Sequence, residues 1–144
     1  MIRILFISVD GIKPIQRYSI ATGVGAYFRI GFKGTTVKVK LASAADLVIS
    51  IDGKPDEVHN GANGVFDCAP SPLANTNHTL RIAARIQNGE LQFQGLILDA
   101  GAVSTHAPQS KGILEFIGNS ITSGERISEG TTTAFSWLVG DSLQ

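Results

Sequence analysis

This sequence of 144 residues lacks the features that define several large classes of protein. Its only cysteine, Cys68, cannot form a disulfide within the chain, and no basic neighbour lowers its pKa, so we expect an inert packed thiol. Twelve basic residues balance twelve acidic ones, and no basic run stands out. We therefore expect neither nucleic acid nor an anionic membrane as a partner.

Long apolar segments and exposed aromatic side chains are also scarce. No segment approaches the ~18 apolar residues that suggest a membrane span. The apolar run near the start, in residues 1–11, is too short for a signal peptide and predicts a strand, so we expect any export signal to lie outside this sequence. Tyr18, Tyr27 and Trp137 are the only tyrosine and tryptophan residues, which leaves few rings for stacking on sugars.

Alternating apolar and polar residues dominate what is present. A hydrophobic share of 43% with sixteen glycines favours strands joined by turns. Residues 26–32, 35–41, 47–51, 78–86 and 91–99 each predict a strand with one apolar face. The apolar face of residues 78–86 includes Leu80, Ile82, Ala84 and Ile86. Across the strands, the side chains that we expect in the core include Phe28, Ile30, Val39, Ile49, Ile82 and Phe93.

Turn residues between these segments suggest how the strands are connected. Lys33-Gly34, Asp52-Gly53 and Asn88-Gly89 each predict a tight turn between antiparallel neighbours, and Gly95 predicts a bulge. Residues 59–77 have little periodicity and predict a loop in which Val65-Phe66 forms a short strand. The resulting fold class is mainly β, an antiparallel β-sandwich of jelly-roll type over residues 1–103.

The composition changes after the predicted sandwich. Residues 104–112 are polar and predict a linker, whereas residues 113–117 are nearly continuously apolar, as in a strand covered on both faces. Residues 131–144 have the apolar spacing of an amphipathic helix, with Ala134, Trp137, Leu138 and Asp141 near one side, extended by Phe135 and Val139. We therefore predict that residues 113–144 are the first strand, loop and helix of an incomplete α/β domain.

Two serines compete for the role of a nucleophile. Gly118-Asn119-Ser120 follows the predicted buried strand, where a glycine allows a tight turn and the serine backbone N–H could stabilise an oxyanion. Ser142 lies in a Gly-Asp-Ser-Leu sequence at residues 140–143, but its setting is helical, and we take it as coincidental. The structural alternative for Ser120 is a strand-to-helix connection in which a Ser or Thr caps the helix.

The sequence EFIGNSITSGE, residues 115–125, resembles the first block of the SGNH hydrolases, usually written Gly-Asp-Ser. The preceding sequences IGFKGTTVKVKL, ISIDGKP, HTLRIAARI and FQGLILDAG resemble the jelly-roll domain of two-domain carbohydrate esterases in that superfamily. The resemblance implies Ser120 as nucleophile and its backbone N–H as an oxyanion donor, supported by Gly118 and Asn119. Asn119 replaces the usual Asp. The resemblance implies neither a metal nor a cofactor.

A general base for Ser120 is not evident in the sequence. Serine needs an adjacent base to become a good nucleophile. Among the histidines, His106 is nearest in sequence but lies in the linker, and we expect His59 and His78 at the surface or a sheet edge. We expect packing or solvated roles for the carboxylates Glu115 and Glu125. The base is therefore predicted to lie beyond residue 144.

These observations predict the N-terminal part of a serine esterase that removes acyl groups, with acetyl expected, from carbohydrate. Without a base, the 144 residues alone should be inactive. The alternative is a non-catalytic β-sandwich that binds carbohydrate or packs against another domain. A chain continuing for about 200 residues of α/β pattern would favour the enzyme. We expect a secreted or periplasmic protein with an acylated carbohydrate as partner, and the sequence leaves homo-oligomerisation open.

Overall fold

We describe the protein from a computed structural model that covers residues 7–8, 19–22, 27–86, 90–108, 114–124, 127 and 130–143. These residues form short strands, a 3-10 turn at Thr131–Thr133 and one helix, α1, at Phe135–Ser142. The strands are β1 Ile7–Ser8, β2 Ser19–Thr22, β3 Tyr27–Gly34, β4 Val37–Leu41, β5 Ala45–Ile51, β6 Glu57–Ala62, β7 Val65–Asp67, β8 Thr76–Ala84, β9 Glu90–Leu98 and β10 Val103–Thr105.

The strands form two sheets that face each other. The larger sheet has the order β1-β3-β8-β5-β6, with β10 also paired to β3, and the smaller one has the order β2-β9-β4-β7. Every described pairing is antiparallel except that of β1 with β3. The Phe28 and Phe93 rings, from opposite sheets, meet with centroids 4.9 Å apart. The predicted mainly β, antiparallel sandwich is therefore confirmed.

Side-chain alternation along the strands builds the core between the sheets. The six side chains predicted to be buried are all at most 5% exposed, namely Phe28, Ile30, Val39, Ile49, Ile82 and Phe93. Burying each such side chain contributes about 1.5–3 kcal/mol. The prediction that Ile86 shares the core face is wrong, because β8 ends at Ala84 and Ile86 is 56% exposed.

Two of the three predicted tight connections differ from the structure. β3 and β4 lie in different sheets, as do β8 and β9, so neither pair forms a hairpin. Residues 87–89, including the predicted Asn88-Gly89 turn, lie outside the described residues. The turn at Asp52-Gly53 is confirmed between β5 and β6: both residues have positive φ, and the Lys54 N–H donates to the Ile51 carbonyl.

The connection from β3 to β4 crosses between the sheets and is held by Asp99. Its carboxylate accepts hydrogen bonds from the backbone N–H groups of Thr35, at 2.5 Å, and Thr36, at 3.1 Å. Both threonine hydroxyls donate to the same carboxylate. These donors favour the charged form, and they lower the pKa of Asp99 to about 2. Asp99 therefore replaces a hairpin turn as the feature that fixes this connection.

The remaining sandwich predictions have mixed outcomes. Gly95 does lie at a bulge, because Lys40 pairs with Gly95 while the next residue, Leu41, pairs with Phe93. The predicted short strand at Val65-Phe66 is confirmed within β7. The predicted loop over residues 59–77 is wrong at both ends, since it starts within β6 and ends within β8. The first segment pairs with β5 and the second with β3, and local sequence does not reveal these partners.

The C-terminal segment contains the predicted helix but not the predicted strand. Residues 114–119 have no regular secondary structure, and Leu114 and Ile117 are exposed. A strand covered on both faces requires neighbouring strands, and residues 114–119 pair with none of the described strands. Helix α1 packs on the larger sheet through Trp137, with Ala134 also buried, whereas Phe135, Leu138 and Val139 are exposed. None of the described residues forms a helix long and apolar enough to cross a membrane.

Candidate functional site

Ser120 lies in an exposed turn that its neighbours hold in shape. The Asn119 side-chain carbonyl accepts a hydrogen bond from the Ile121 N–H at 3.0 Å, and the Asn119 backbone carbonyl accepts from the Ser123 N–H at 3.3 Å. The Ser123 hydroxyl donates to the Ser120 carbonyl at 2.7 Å, and the Gly124 N–H donates to the Ile121 carbonyl at 3.1 Å. The turn therefore presents the Ser120 side chain to solvent.

Two glycines around Ser120 are required by local geometry. The Thr122 side chain occupies the position that a Cβ on Gly118 would need. Gly124 has a φ of +76°, and a Cβ there would meet the Ala134 Cβ at 2.7 Å. The predicted group Gly118, Asn119 and Ser120 is thus brought together in one exposed turn.

The turn is joined to the helical segment that follows it. The Ser136 hydroxyl donates to the Thr122 carbonyl at 2.8 Å, which ties the turn to the first turn of α1. The Phe116 and Phe135 rings meet edge to face with centroids 5.9 Å apart. The expectation that Ser120 stands at the end of a strand in a sheet is wrong, because helix contacts rather than a strand hold this segment.

His78 is the histidine whose surroundings differ most from prediction. It is buried rather than at the surface, and both of its ring nitrogens have partners. Nδ1 lies 2.6 Å from Oδ2 of Asp52, and Nε2 lies 2.7 Å from the carbonyl oxygen of Ala74. Burial alone would lower the His78 pKa, but the Ala74 carbonyl and Asp52 outweigh it and raise that pKa. Both ring nitrogens of His78 are therefore engaged in holding the structure, and neither is available as a base.

The hydrogen bonds given above for the Ser120 turn involve none of the other candidate acid–base groups. His59 is on β6, with Nε2 3.7 Å from Glu57 and its ring against Phe66. His106 follows β10 and is exposed, and Glu115 is exposed in the segment before the turn. Glu125 lies outside the described residues. A base beyond residue 144 stays a prediction.

Ser142 occupies the helical setting predicted for it. It is the last residue of α1, and its hydroxyl donates to the Val139 carbonyl at 2.8 Å. Its neighbour Asp141 forms an ion pair with Arg81 of β8. The Gly-Asp-Ser-Leu sequence therefore ends a helix that packs on the sandwich, in contrast to the open turn at Ser120.

Arg81 is a residue that sequence analysis missed. Its guanidinium bonds to Asp56, at 2.7 Å, and to Asp141, and it lies over the Trp137 ring at 5.2 Å. Arg81 and Asp141 line a groove of about 390 Å³ that also includes Thr79. Burial would lower the Arg81 pKa, but the two carboxylates raise it, so the guanidinium stays charged. The alternation of residues 78–86 puts Arg81 on the face opposite Leu80 and Ile82, but it does not reveal these partners.

The sandwich matches a known protein family. Residues 16–108 match the family described as carbohydrate esterase 2 N-terminal. This chain belongs to carbohydrate esterase family 2. The family 2 esterases have an SGNH-type hydrolase domain, so the superfamily suggested by the sequence is confirmed. The match ends before the Ser120 turn, and the roles of Gly118, Asn119 and Ser120 stay predictions. So does the domain division at residues 103 and 113.

Several solved family 2 esterases share the fold of this family 2 chain. One from Clostridium thermocellum, solved in complex with cellohexaose, has a TM-score of 0.67 at 21% identity over 92% of this chain and 48% of its own. A Corynascus thermopiles (Myceliophthora fergusii) enzyme with a carbohydrate-binding domain has a TM-score of 0.61 at 26% identity, over 74% and 34%. A Cellvibrio japonicus enzyme has a TM-score of 0.56 at 13% identity, over 88% and 45%.

The family 2 chain spans less than half the length of each of these three structures. A search of curated protein sequences found no significant match. Fold and family are thus established for this chain, whereas the activity and substrate of the whole protein are matters for proposal.

Proposed function

We propose that this chain is the N-terminal part of a serine esterase that removes acyl groups, with acetyl expected, from carbohydrate. The observation that carries the proposal is the exposed Gly118-Asn119-Ser120 turn, which comes after a family 2 sandwich in the chain. The Clostridium relative was solved with cellohexaose, which supports carbohydrate as the partner class. Secretion or a periplasmic location remains part of the proposal.

The proposed chemistry uses Ser120 as the nucleophile. Its Oγ attacks the ester carbonyl carbon, the carbonyl oxygen becomes an oxyanion, and the Ser120 N–H donates to it. The sugar hydroxyl then leaves with a proton, and water attacks the acyl-enzyme to release the acid and free Ser120. Asn119 contributes by shaping the turn through its bond to the Ile121 N–H. A base from beyond residue 144 would take and return the proton.

The test uses the whole protein that the gene encodes and a small acetyl ester as substrate. Ser120→Ala should abolish turnover, because the residual rate without a nucleophile is several orders of magnitude lower. Ser142→Ala is the matched control and should retain turnover. The 144 residues alone should show none. Serine-dependent turnover by these residues alone, lost in Ser120→Ala, would contradict the predicted location of the base and favour His106.

A second candidate, a non-catalytic module, is favoured by one observation. Residues 114–119 do not form the strand that presents the nucleophile in the enzyme hypothesis, and Ser136 and Ala134 hold the turn from the helix side. In this case Ser120 merely shapes a connection. Titration calorimetry with cello-oligosaccharides would then show binding in both wild type and Ser120→Ala, while the whole gene product hydrolyses no acetyl ester.

A further inference from the structure

Helix α1 is anchored on the outer face of the larger sheet. Tyr27, Val48 and Ala83 lie side by side across β3, β5 and β8, and with Trp137 they form a cluster separate from the core. The Trp137 ring is only 7% exposed and meets the Tyr27 ring nearly edge-on, at 5.2 Å. Helix α1 therefore packs on the sheet through the ring of Trp137.

A cation beneath the helix reinforces this contact. Trp137 and Asp141 are four residues apart, so they lie on the same face of α1. Arg81 reaches both, since its guanidinium lies over the Trp137 ring and bonds to the Asp141 carboxylate. The Arg81 guanidinium also donates a hydrogen bond to the Asp56 carboxylate. The sandwich thus binds the helix through the Arg81–Asp141 ion pair and the Trp137 ring.

The anchored helix in turn holds the turn that carries Ser120. The Ser136 hydroxyl, next to Trp137, donates to the Thr122 carbonyl two residues after Ser120. On the other side of the turn, Gly124 lies so close to Ala134 that a Cβ would not fit. A continuous set of contacts therefore runs from the sheet through Arg81 and the helix to the turn.

We propose that Arg81 and Trp137 are positioning residues that fix the location of the Ser120 turn by anchoring helix α1 on the sandwich. This inference rests on the proposed function of Ser120. Displacing a nucleophile by about 1 Å can slow the reaction by up to about 100-fold. A rigid support for the turn would therefore keep the reaction rate high. The sandwich is then part of the catalytic architecture, not only an attached module.

The first experiment measures the turn itself in this chain, without reference to activity. Amide hydrogen exchange at Ser123 and Gly124, whose N–H groups close the turn, is compared in wild type, Asp141→Asn and Ser136→Ala. Each variant should exchange roughly 2- to 12-fold faster at these amides, the effect of one hydrogen bond. The control is Asp67→Asn, which breaks the Lys38 ion pair on the other sheet and has the same 43% side-chain exposure as Asp141.

The second experiment measures catalysis in the whole gene product. Asp141→Asn should lower kcat with little change in KM, Asp141→Glu should restore much of the loss, and Asp67→Asn should match wild type. If Ser120→Ala is inactive but Asp141→Asn equals Asp67→Asn in both exchange and kcat, the positioning inference is wrong. If Ser120→Ala remains active, the proposed function fails, and the exchange rates decide separately whether α1 holds the turn.

Discussion

His78 should make the stability of this protein depend on pH. Its two ring nitrogens face two acceptors, the Asp52 carboxylate and the Ala74 carbonyl. Neutral imidazole has only one N–H, so both bonds require the protonated ring. The ring packs on Phe32, and Lys54 is the charged neighbour that opposes protonation. Burial also opposes it, yet the two acceptors prevail, and the His78 pKa is raised.

The size of the effect follows from these bonds. A hydrogen bond to a charged group contributes about 1.5–3 kcal/mol, and the cost of burying the charge offsets part of the two bonds. We therefore expect His78→Leu to lower the free energy of unfolding by about 2–3 kcal/mol at pH 5. A histidine whose folded pKa is raised stabilises fully below its unfolded pKa of about 6.5. That stabilisation is lost as pH rises through the folded pKa.

Urea unfolding of wild type and His78→Leu between pH 5 and pH 9 measures this difference directly. The gap between the two proteins should shrink as pH rises past the folded pKa of His78. Phe32→Leu is the control, because it disturbs the same packing without removing a titrating group, so its deficit should not share that decline. A gap between wild type and His78→Leu that stays constant over the whole range would show that His78 does not stabilise the fold through its charge.

Three further predictions concern the sandwich. Ile49→Ala should lower the free energy of unfolding by about 2–5 kcal/mol in urea titration, because the side chain is buried, and a smaller loss would contradict its place in the core. Ile86→Ser should change it by less than about 0.5 kcal/mol in the same assay, because Ile86 is exposed. Gly31→Ala should speed amide exchange in β10, because the added Cβ would lie 2.5 Å from Thr105; unchanged exchange would contradict that close approach.

Alternation in the sequence predicted which side chains fill the core but not which strands pair. Val37, Val39 and Leu41 point inward in β4, as their spacing indicates. The same spacing suits a hairpin partner of β3 and a strand in the opposite sheet, because both bury one face. The deciding contact is Asp99 with Thr35 and Thr36, more than sixty residues apart in sequence. Of the three local turn signals, Asp52-Gly53 is the one that does join two neighbouring strands of the same sheet.

The candidate site shows the same division between local and distant signals. An exposed turn at Gly118-Asn119-Ser120 follows from residues that favour turns. The preceding apolar run was predicted as a strand because periodicity does not show whether neighbouring strands exist. The hydrogen bond from Arg81 to Asp141 joins residues sixty positions apart, and no local sequence pattern predicts it.

We propose Ser120 as the nucleophile of the whole gene product. Its most direct test is reaction of the whole gene product with a fluorophosphonate, followed by peptide mapping of the labelled serine. We expect the label to map to Ser120, with Ser142→Ala labelled like wild type and Ser120→Ala unlabelled. A label on Ser142, or undiminished labelling of Ser120→Ala, would contradict it.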